Sequence, residues 1–140
     1  MSRRKTAIAA ALTVLALGSP LITGCTNPFA TQYFNQGLEK YKVGNYQGAI
    51  ADWNKAIEIN PKNSNAYYNR GVSKTNLQDY QGAIADYTKA IEINPQFANA
   101  YNNRGITREL VNDLDGACND WREAAGFGLT EPAEWVKKQC

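Results

Sequence analysis

Three cysteines and the lack of histidine limit the chemistry that this chain can perform. The sequence of 140 residues contains Cys25, Cys118 and Cys140 and no histidine. Histidine-based catalytic triads, histidine metal ligands and a histidine pH switch are therefore excluded. A thiol can still be acylated or oxidised to a disulfide, but two cysteines without histidine make a poor metal site. We therefore predict that the protein uses no metal and no cofactor.

The charged residues do not form a catalytic arrangement. Acidic residues fall at the spacing of a helix surface, as in Asp86, Lys89 and Glu92, where side chains three positions apart pair on one face. The sequence also lacks a glycine-rich phosphate loop. We expect neither enzymatic activity nor a small-molecule substrate.

Cys25 follows a segment that has the three parts of a secretory signal. Residues 3–5 (RRK) are positive, residues 7–17 are apolar, and residues 18–20 (GSP) break the pattern. The sequence LITGC at residues 21–25 resembles the lipobox of bacterial lipoproteins. This resemblance implies that residues 1–24 are a signal peptide that is removed and that the thiol of Cys25 becomes lipidated.

The lipobox resemblance implies a location and a tether. The protein would be extracytoplasmic and lipid-anchored to a bacterial membrane on its periplasmic side, with residues 25–30 as the lipidated tether. Two alternatives stay open: a plain secretory signal followed by a chance cysteine, and an uncleaved anchor helix ending at Ile22. The apolar stretch is shorter than the roughly 20 residues that a membrane span needs.

Loss of the signal segment would change the net charge. Of the 15 Lys and Arg residues, three lie in residues 3–5, so 12 would remain against 13 Asp and Glu residues. A chain so close to neutral offers no electrostatic reason to bind nucleic acid. We predict no nucleic-acid partner.

The rest of the chain repeats itself at a fixed period. Residues 47–61 (QGAIADWNKAIEINP) nearly match residues 81–95 (QGAIADYTKAIEINP). Small and aromatic positions recur in three copies: Gly37, Gly71 and Gly105; Ala49, Ala83 and Ala117; Trp53, Tyr87 and Trp121. This pattern, over residues 31–127, resembles the tetratricopeptide repeat. The resemblance implies an all-α fold, an α-solenoid of three helix-turn-helix repeats (31–63, 64–97 and 98–128) plus a C-terminal capping helix within 129–140.

The residues themselves predict two helices in each unit, named here helix A and helix B. Helix A is expected at 31–42, 65–76 and 99–110, and helix B at 47–59, 81–93 and 115–126. Turn signals separate them at Gly44-Asn45, Gln78-Asp79 and Asn112-Asp113. Gly71 and Ala83 lack bulk where the two helices should cross, and Pro61 and Pro95 end helix B. One unit cannot bury its apolar face alone, whereas three stacked units can.

Two arginines and three aspartates follow the same period. Asp52, Asp86 and Asp120 each precede the aromatic residue of helix B, and Arg70 and Arg104 recur in helix A of units two and three. We hypothesise that each arginine reaches back to the preceding unit, Arg70 to Asp52 and Arg104 to Asp86. Such pairs would set the register between repeats more than they add stability. Independent solvated charges are the alternative.

The C-terminal segment predicts a cap on the array. Gly128 suits a left-handed turn, Thr130 an N-cap, and residues 131–139 a helix with Ala133, Trp135 and Val136 facing inward. Cys118 occupies the position of Ile50 and Ile84 and should be buried. In an oxidising compartment a Cys118–Cys140 disulfide would join this cap to unit three. The alternative is one buried and one frayed thiol.

Tetratricopeptide proteins typically bind a peptide along the concave surface formed by their A helices. The resemblance implies the following lining residues here: Phe34, Asn35, Leu38, Tyr41, Asn65, Tyr68, Asn69, Val72, Asn76, Asn99, Asn102, Asn103 and Ile106. Asn35, Asn69 and Asn103 recur at the repeat period, and their amides could pair with a peptide backbone. The alternative is that these asparagines simply tolerate exposure on helix A.

One variant of the family binds a C-terminal carboxylate through Lys and Arg at defined lining positions. Those positions hold Phe34, Asn99 and Asn103 here, and only Asn69 fits. We therefore expect a membrane-anchored scaffold or adaptor that binds a protein or peptide partner through its concave face, for example during assembly of an envelope or membrane complex. The alternative is a structural or oligomerising lipoprotein without a groove ligand.

Overall fold

The computed structural model describes residues 27–140. Within this range the chain forms seven helices and no strand: α1 Pro28–Lys42, α2 Tyr46–Ile59, α3 Ser64–Asn76, α4 Tyr80–Ile93, α5 Ala98–Leu110, α6 Leu114–Gly126 and α7 Thr130–Gln139. Helices α1, α3 and α5 are the predicted A helices, and α2, α4 and α6 are the B helices. Each helix packs on its neighbours in sequence. The predicted all-α solenoid of three repeats and a final helix is confirmed.

The turn inside each unit reverses the chain through a residue in the left-handed region and a helix cap. The left-handed positions are Gly44 (φ 76°), Gln78 (φ 63°) and Asn112 (φ 63°). The next residue caps helix B: Asn45, Asp79 and Asp113 accept a hydrogen bond from the backbone N–H three positions later, at 2.9–3.0 Å. Such capping satisfies one of the otherwise unpaired N–H groups at the helix start. The predicted turn signals are therefore correct.

Each unit closes around a contact between a glycine of helix A and an aromatic ring of helix B. A Cβ atom on Gly71 would lie only 2.8 Å from Cε1 of Tyr87. Gly37 meets Trp53 and Gly105 meets Trp121 in the same way. All three rings are 1% exposed, and Ala83 is fully buried. The predicted close crossing of the two helices is confirmed.

A buried aspartate in each B helix pairs with cations from the A helix of the same unit. Arg70 donates to Asp86 from Nε at 2.9 Å, and Lys74 Nζ lies 2.8 Å from the same carboxylate. In unit three, Arg104 and Arg108 each donate to Asp120 at 2.9 Å. All of these aspartates are buried. Two charged donors on one carboxylate give units two and three strong, directional bonds between their helices.

Unit one contains a reduced form of this cluster. Asp52 pairs with Lys40 at 2.6 Å, because Gln36 stands where units two and three have arginine. Lys40 is also 42% exposed at its side chain, whereas Arg70 is 17% exposed. The pair in unit one is thus wetter and has one cation in place of two.

The prediction that each arginine pairs with the aspartate of the preceding unit was wrong. Each arginine bonds the later aspartate, in its own unit, because helices A and B of one unit pack antiparallel and bring these positions together. The contact with the preceding unit goes to a neutral oxygen instead. Arg70 Nη1 donates to Asn54 at 2.7 Å, and Arg104 Nη1 donates to Thr88 at 3.0 Å. Both arginines therefore still connect neighbouring repeats.

Two predicted boundaries need correction. Helix α1 begins at Pro28, with Asn27 accepting from the N–H of Phe29 at 3.0 Å, and Ala30 is 4% exposed. Residues 28–30 therefore belong to the folded array and not to the predicted tether. The cap position of α7 is Leu129, so Thr130 is the first helical residue and not the N-cap. Cys25 and the rest of residues 1–26 lie outside the described residues.

Helix α7 covers the open side of unit three. Trp135 packs edge-on against Trp121 with ring centroids 5.3 Å apart, and Pro132 is buried. Gly128 adopts a left-handed φ of 97°, as predicted. The structure joins the Sγ atoms of Cys118 and Cys140, whose Cα atoms are 5.8 Å apart, a normal separation for a disulfide. The last helix is thus held both by packing and by a covalent bond.

The outer face of α1 has exposed polar residues at positions whose equivalents in the later units are buried. Ala66 and Ala100 are fully buried against the preceding unit, and the equivalent residue of unit one is the exposed Gln32. Ser73 is likewise buried, whereas its equivalent Glu39 is exposed. Terminal repeats of such arrays need a polar outer face to remain soluble. Unit one has the surface of an end unit.

The charge clusters predict unequal costs for the same substitution in two repeats. Asp86→Asn leaves Arg70 and Lys74 facing each other without a carboxylate, which should lower the free energy of unfolding by about 3 kcal/mol. Asp52→Asn leaves one lysine that can turn into water, and should cost about 1 kcal/mol or less. Urea denaturation of the two variants, followed by circular dichroism, measures both values. Equal losses would contradict this account of the clusters.

Candidate functional site

The concave face of the A helices contains a depression lined mainly by rings. It has a volume of about 210 Å³ and lies between Tyr41, Trp53, Tyr68, Asn69 and Val72. Tyr41 and Trp53 are 6.3 Å apart at their ring centroids, and Tyr41 also packs against Tyr46 at 5.4 Å. Side chains that already pack on one another lose little freedom when a ligand arrives. We call this the first depression.

Tyr68 is fixed on three sides. Its ring lies 4.8 Å from that of Phe97 and 5.9 Å from that of Tyr87. Its hydroxyl accepts a hydrogen bond from Nδ2 of Asn103 at 3.0 Å. Burial raises the pKa of Tyr68 above its usual value, although the Asn103 hydrogen bond opposes the shift. The phenol therefore stays neutral at physiological pH.

A second depression of about 150 Å³ adjoins the first. It is lined by Val72, Thr75, Asn76, Tyr87, Asn103, Ile106 and Thr107. Its hydroxyl groups are bonded within the protein: Thr75 Oγ1 lies 3.1 Å from Tyr87 Oη, and Thr107 donates to the Asn103 carbonyl at 2.7 Å. Burial also raises the pKa of Tyr87. The floor of this depression is uncharged.

Val72 forms the wall between the two depressions. The first depression draws on units one and two, and the second on units two and three. Together they form one continuous surface across the array, which we call the groove and define by the residues that line the two depressions. Its shape depends on the stacking of all three repeats.

The predicted lining residues fall into three groups. Those that line the groove are Tyr41, Tyr68, Asn69, Val72, Asn76, Asn103 and Ile106. Asn99 and Asn102 instead line a separate depression of about 270 Å³, beside the start of α7. Phe34 and Leu38 are half-buried in α1, and Asn35 and Asn65 are exposed, all outside these depressions.

The three asparagines at the repeat period do not have equivalent roles. Asn35 is exposed, Asn69 lines the first depression, and Asn103 lines the second. The amide nitrogen of Asn103 already donates to Tyr68, which leaves its carbonyl oxygen for a ligand. The side-chain amides of Asn35, Asn69 and Asn103 therefore do not form a regular row of free groups along the groove.

Sequence reasoning missed part of the groove floor. Trp53 and Tyr87 come from the B helices, whereas the resemblance implied lining residues on the A helices alone. Both are almost fully buried, yet each lines one of the two depressions. Thr107 was also missed. Thr107 is buried at the position that Ser73 holds in unit two. The change from serine to threonine at this position was the available signal.

Residues 27–140 contain neither a candidate metal site nor a candidate membrane-spanning helix. Among these residues, His, Cys, Asp and Glu side chains do not gather in groups of three or more that could hold a metal ion. In the same range, every helix is too short or too polar to cross a membrane.

Known structures share this fold. The first TPR of Spaghetti (RPAP3), bound to the HSP90 peptide SRMEEVD, is 23% identical, with 81% of this chain and 91% of that chain covered and a TM-score of 0.76. The TPR domain of Arabidopsis OM64 is 28% identical, with 79% and 93% covered and a TM-score of 0.75. The TPR2B domain of yeast Sti1, in complex with pHsp70, is 23% identical, with 81% and 97% covered and a TM-score of 0.76.

Family models match the repeats directly. Two models of the tetratricopeptide repeat match residues 64–97 and 86–119, and a TPR repeat model matches residues 37–78. Curated proteins show no significant match to this chain. The three matches overlap and together run through residues 37–119, the region that forms the stacked helix pairs. The chain belongs to the tetratricopeptide repeat family.

Proposed function

We propose that the protein is a small lipid-anchored adaptor whose groove binds a peptide segment of a protein partner. The observation that carries this proposal is the pair of adjoining depressions on the A helices, joined at Val72. Their walls are packed rings and internally bonded hydroxyl groups. A surface that is already formed before binding avoids much of the ordering cost of association.

The family supports a peptide as the occupant. The first TPR of Spaghetti (RPAP3) has the same fold and was solved with the HSP90 peptide SRMEEVD. Its second TPR, 25% identical to this chain, was solved with the same peptide. Most residues that line the groove come from the A helices, whose concave surface typically binds peptides in this family.

The lipobox supports the membrane anchor. A chain lipidated at Cys25 would meet the first helix after three peptide steps, because α1 begins at Pro28. A fully extended segment of this length reaches about 11 Å. The array would therefore be held close to the membrane surface, where local concentration strengthens binding to a membrane-bound partner. Assembly of an envelope or membrane complex is the setting that fits such an adaptor.

The alternative of an oligomerising lipoprotein has less support. End-to-end stacking would bury the outer face of α1, where Gln32, Gln36 and Glu39 are exposed. The other end of the array is covered by α7, which packs Trp135 on Trp121. Burial of polar side chains without partners opposes association.

Partner capture tests the groove through a pair of matched substitutions. Val72→Glu places a charge in the wall between the depressions, whereas Ala85→Glu places the same charge at an exposed position of α4. We expect crosslinking in native membranes to recover one partner with the unaltered chain and with Ala85→Glu. Val72→Glu should lose at least about 90% of it, which corresponds to about 1.4 kcal/mol. Equal recovery by both variants would contradict the groove.

Intact mass analysis of the protein purified from native membranes tests the anchor. The proposal predicts a chain that begins at Cys25 and carries diacylglyceryl and acyl groups on that residue. Cys25→Ser should remove the lipid and release the protein from the membrane, since each buried CH₂ group contributes about 0.8 kcal/mol to anchoring. An unmodified chain that begins at Met1 would overturn the anchor and leave the groove proposal standing.

A further inference from the structure

We propose that the groove selects an uncharged, internal segment of its partner with one aliphatic or aromatic anchor residue, and rejects acidic C-terminal tails. This inference rests on the proposed function, because it names the class of peptide that the groove takes. It goes beyond the proposed function because the ligand class follows from how the basic residues of the A helices are paired within this chain.

The three A helices contain six basic residues, and all six are paired. In α3, Arg70 and Lys74 both contact Asp86, and in α5, Arg104 and Arg108 both contact Asp120. In α1, Lys40 contacts Asp52 at 2.6 Å, and Lys42 contacts Glu39 at 2.7 Å. The cations of α3 and α5 are therefore already bound to buried carboxylates of this chain, whereas Lys40 and Lys42 of α1 form more exposed pairs.

The pairs of α3 and α5 cannot be exchanged for a ligand at low cost. The side chains of Asp86 and Asp120 are only 5% and 3% exposed, so a cation that left would strand a buried negative charge. Removing one partner from a buried pair is strongly destabilising, because the remaining charge is left buried without compensation. A peptide carboxylate at the surface would not offset that loss.

The residues that line the groove are themselves neutral. They are tyrosine, tryptophan, asparagine, valine, isoleucine and threonine. The one acidic residue of α5, Glu109, is exposed. The ring-lined first depression suits one apolar side chain, and the oxygens of Asn69, Asn76 and Asn103 can accept from a peptide backbone.

This selection differs from what the solved relative shows. The HSP90 peptide SRMEEVD, held by the first TPR of Spaghetti (RPAP3), has three acidic residues and ends in one. A groove lined only by neutral residues offers such a tail no counter-charge. The same fold would thus serve a different class of ligand through the pairing of its basic residues.

Peptide display on the full chain tests the inference. A random library is presented in two formats, one with a free C-terminus and one flanked at both ends. We expect enrichment in the flanked format, with Asp and Glu depleted and one aliphatic or aromatic position fixed. A selected peptide with blocked termini should change its Kd by less than about twofold between about 0.05 and 0.5 M NaCl. SRMEEVD should not bind at concentrations where that peptide saturates.

A second variant supplies the matched control. Val72→Lys adds one unpaired cation to the groove wall, so it should weaken the selected neutral peptide and create salt-sensitive binding of SRMEEVD. The inference is overturned if the unaltered chain binds SRMEEVD with the same measurable affinity as Val72→Lys. Enrichment of acidic peptides or dependence on a free carboxylate would overturn it too.

The same selection separates this inference from the proposed function. Enriched peptides that lose binding to Val72→Glu but are acidic leave the groove in place and refute only the ligand class. Peptides that bind Val72→Glu as tightly as the unaltered chain refute the groove itself. A library that yields no enriched peptide in either format counts against both.

Discussion

The ion pairing of a buried carboxylate in each B helix with the adjacent A helix is the interaction on which the rest of the structure depends. A charge in a nearly dry site is costly unless donors surround it. Asp86 and Asp120 meet this requirement with two cations each, taken from the adjacent A helix. The requirement fixes how the two helices lie against each other, because both donors must reach one carboxylate. Buried pairs of this kind define register more surely than they add stability.

The same clusters shape the surface that meets other molecules. Arg70 uses two nitrogens on its own aspartate and a third on the preceding unit, so the ion pair joins neighbouring repeats. Arg104 does the same one unit later. The concave face is left to rings, amides and hydroxyl groups, whose interactions depend on shape and hydrogen bonding. Folding and ligand preference thus follow from one placement of charge.

The repeat period predicted most of the architecture. Copies one period apart must occupy equivalent positions, so three imperfect copies locate helices that no single copy would locate with certainty. Arginine partners were harder to predict because Asp52 precedes Arg70 by nearly the same separation at which Asp86 follows it. The sequence spacing allows both contacts, and the antiparallel packing of helices A and B decides between them. Pro28 was assigned to a tether, although proline at the first position of a helix is favourable.

The groove was predicted only in part, for a physical reason. Its A-helix residues follow from the resemblance, but its floor comes from B-helix side chains that are also core residues. Trp53 and Tyr87 are each 1% exposed, and a hydrophobic period cannot show that such buried residues also line the groove. The pairing of Asn103 with Tyr68, in the preceding unit, likewise depends on how two units stack. Such contacts are set by packing and not by local pattern.

Nitrogen-15 NMR of the arginine side chains tests the central claim most directly. Arg122 on α6 is exposed and provides an internal reference. The account predicts that the Nε–H groups of Arg70 and Arg104 give dispersed signals that exchange with water far more slowly than that of Arg122. These signals should also stay unchanged when SRMEEVD is added. Arg70 and Arg104 signals that exchange as fast as that of Arg122, or that shift with the acidic peptide, would contradict it.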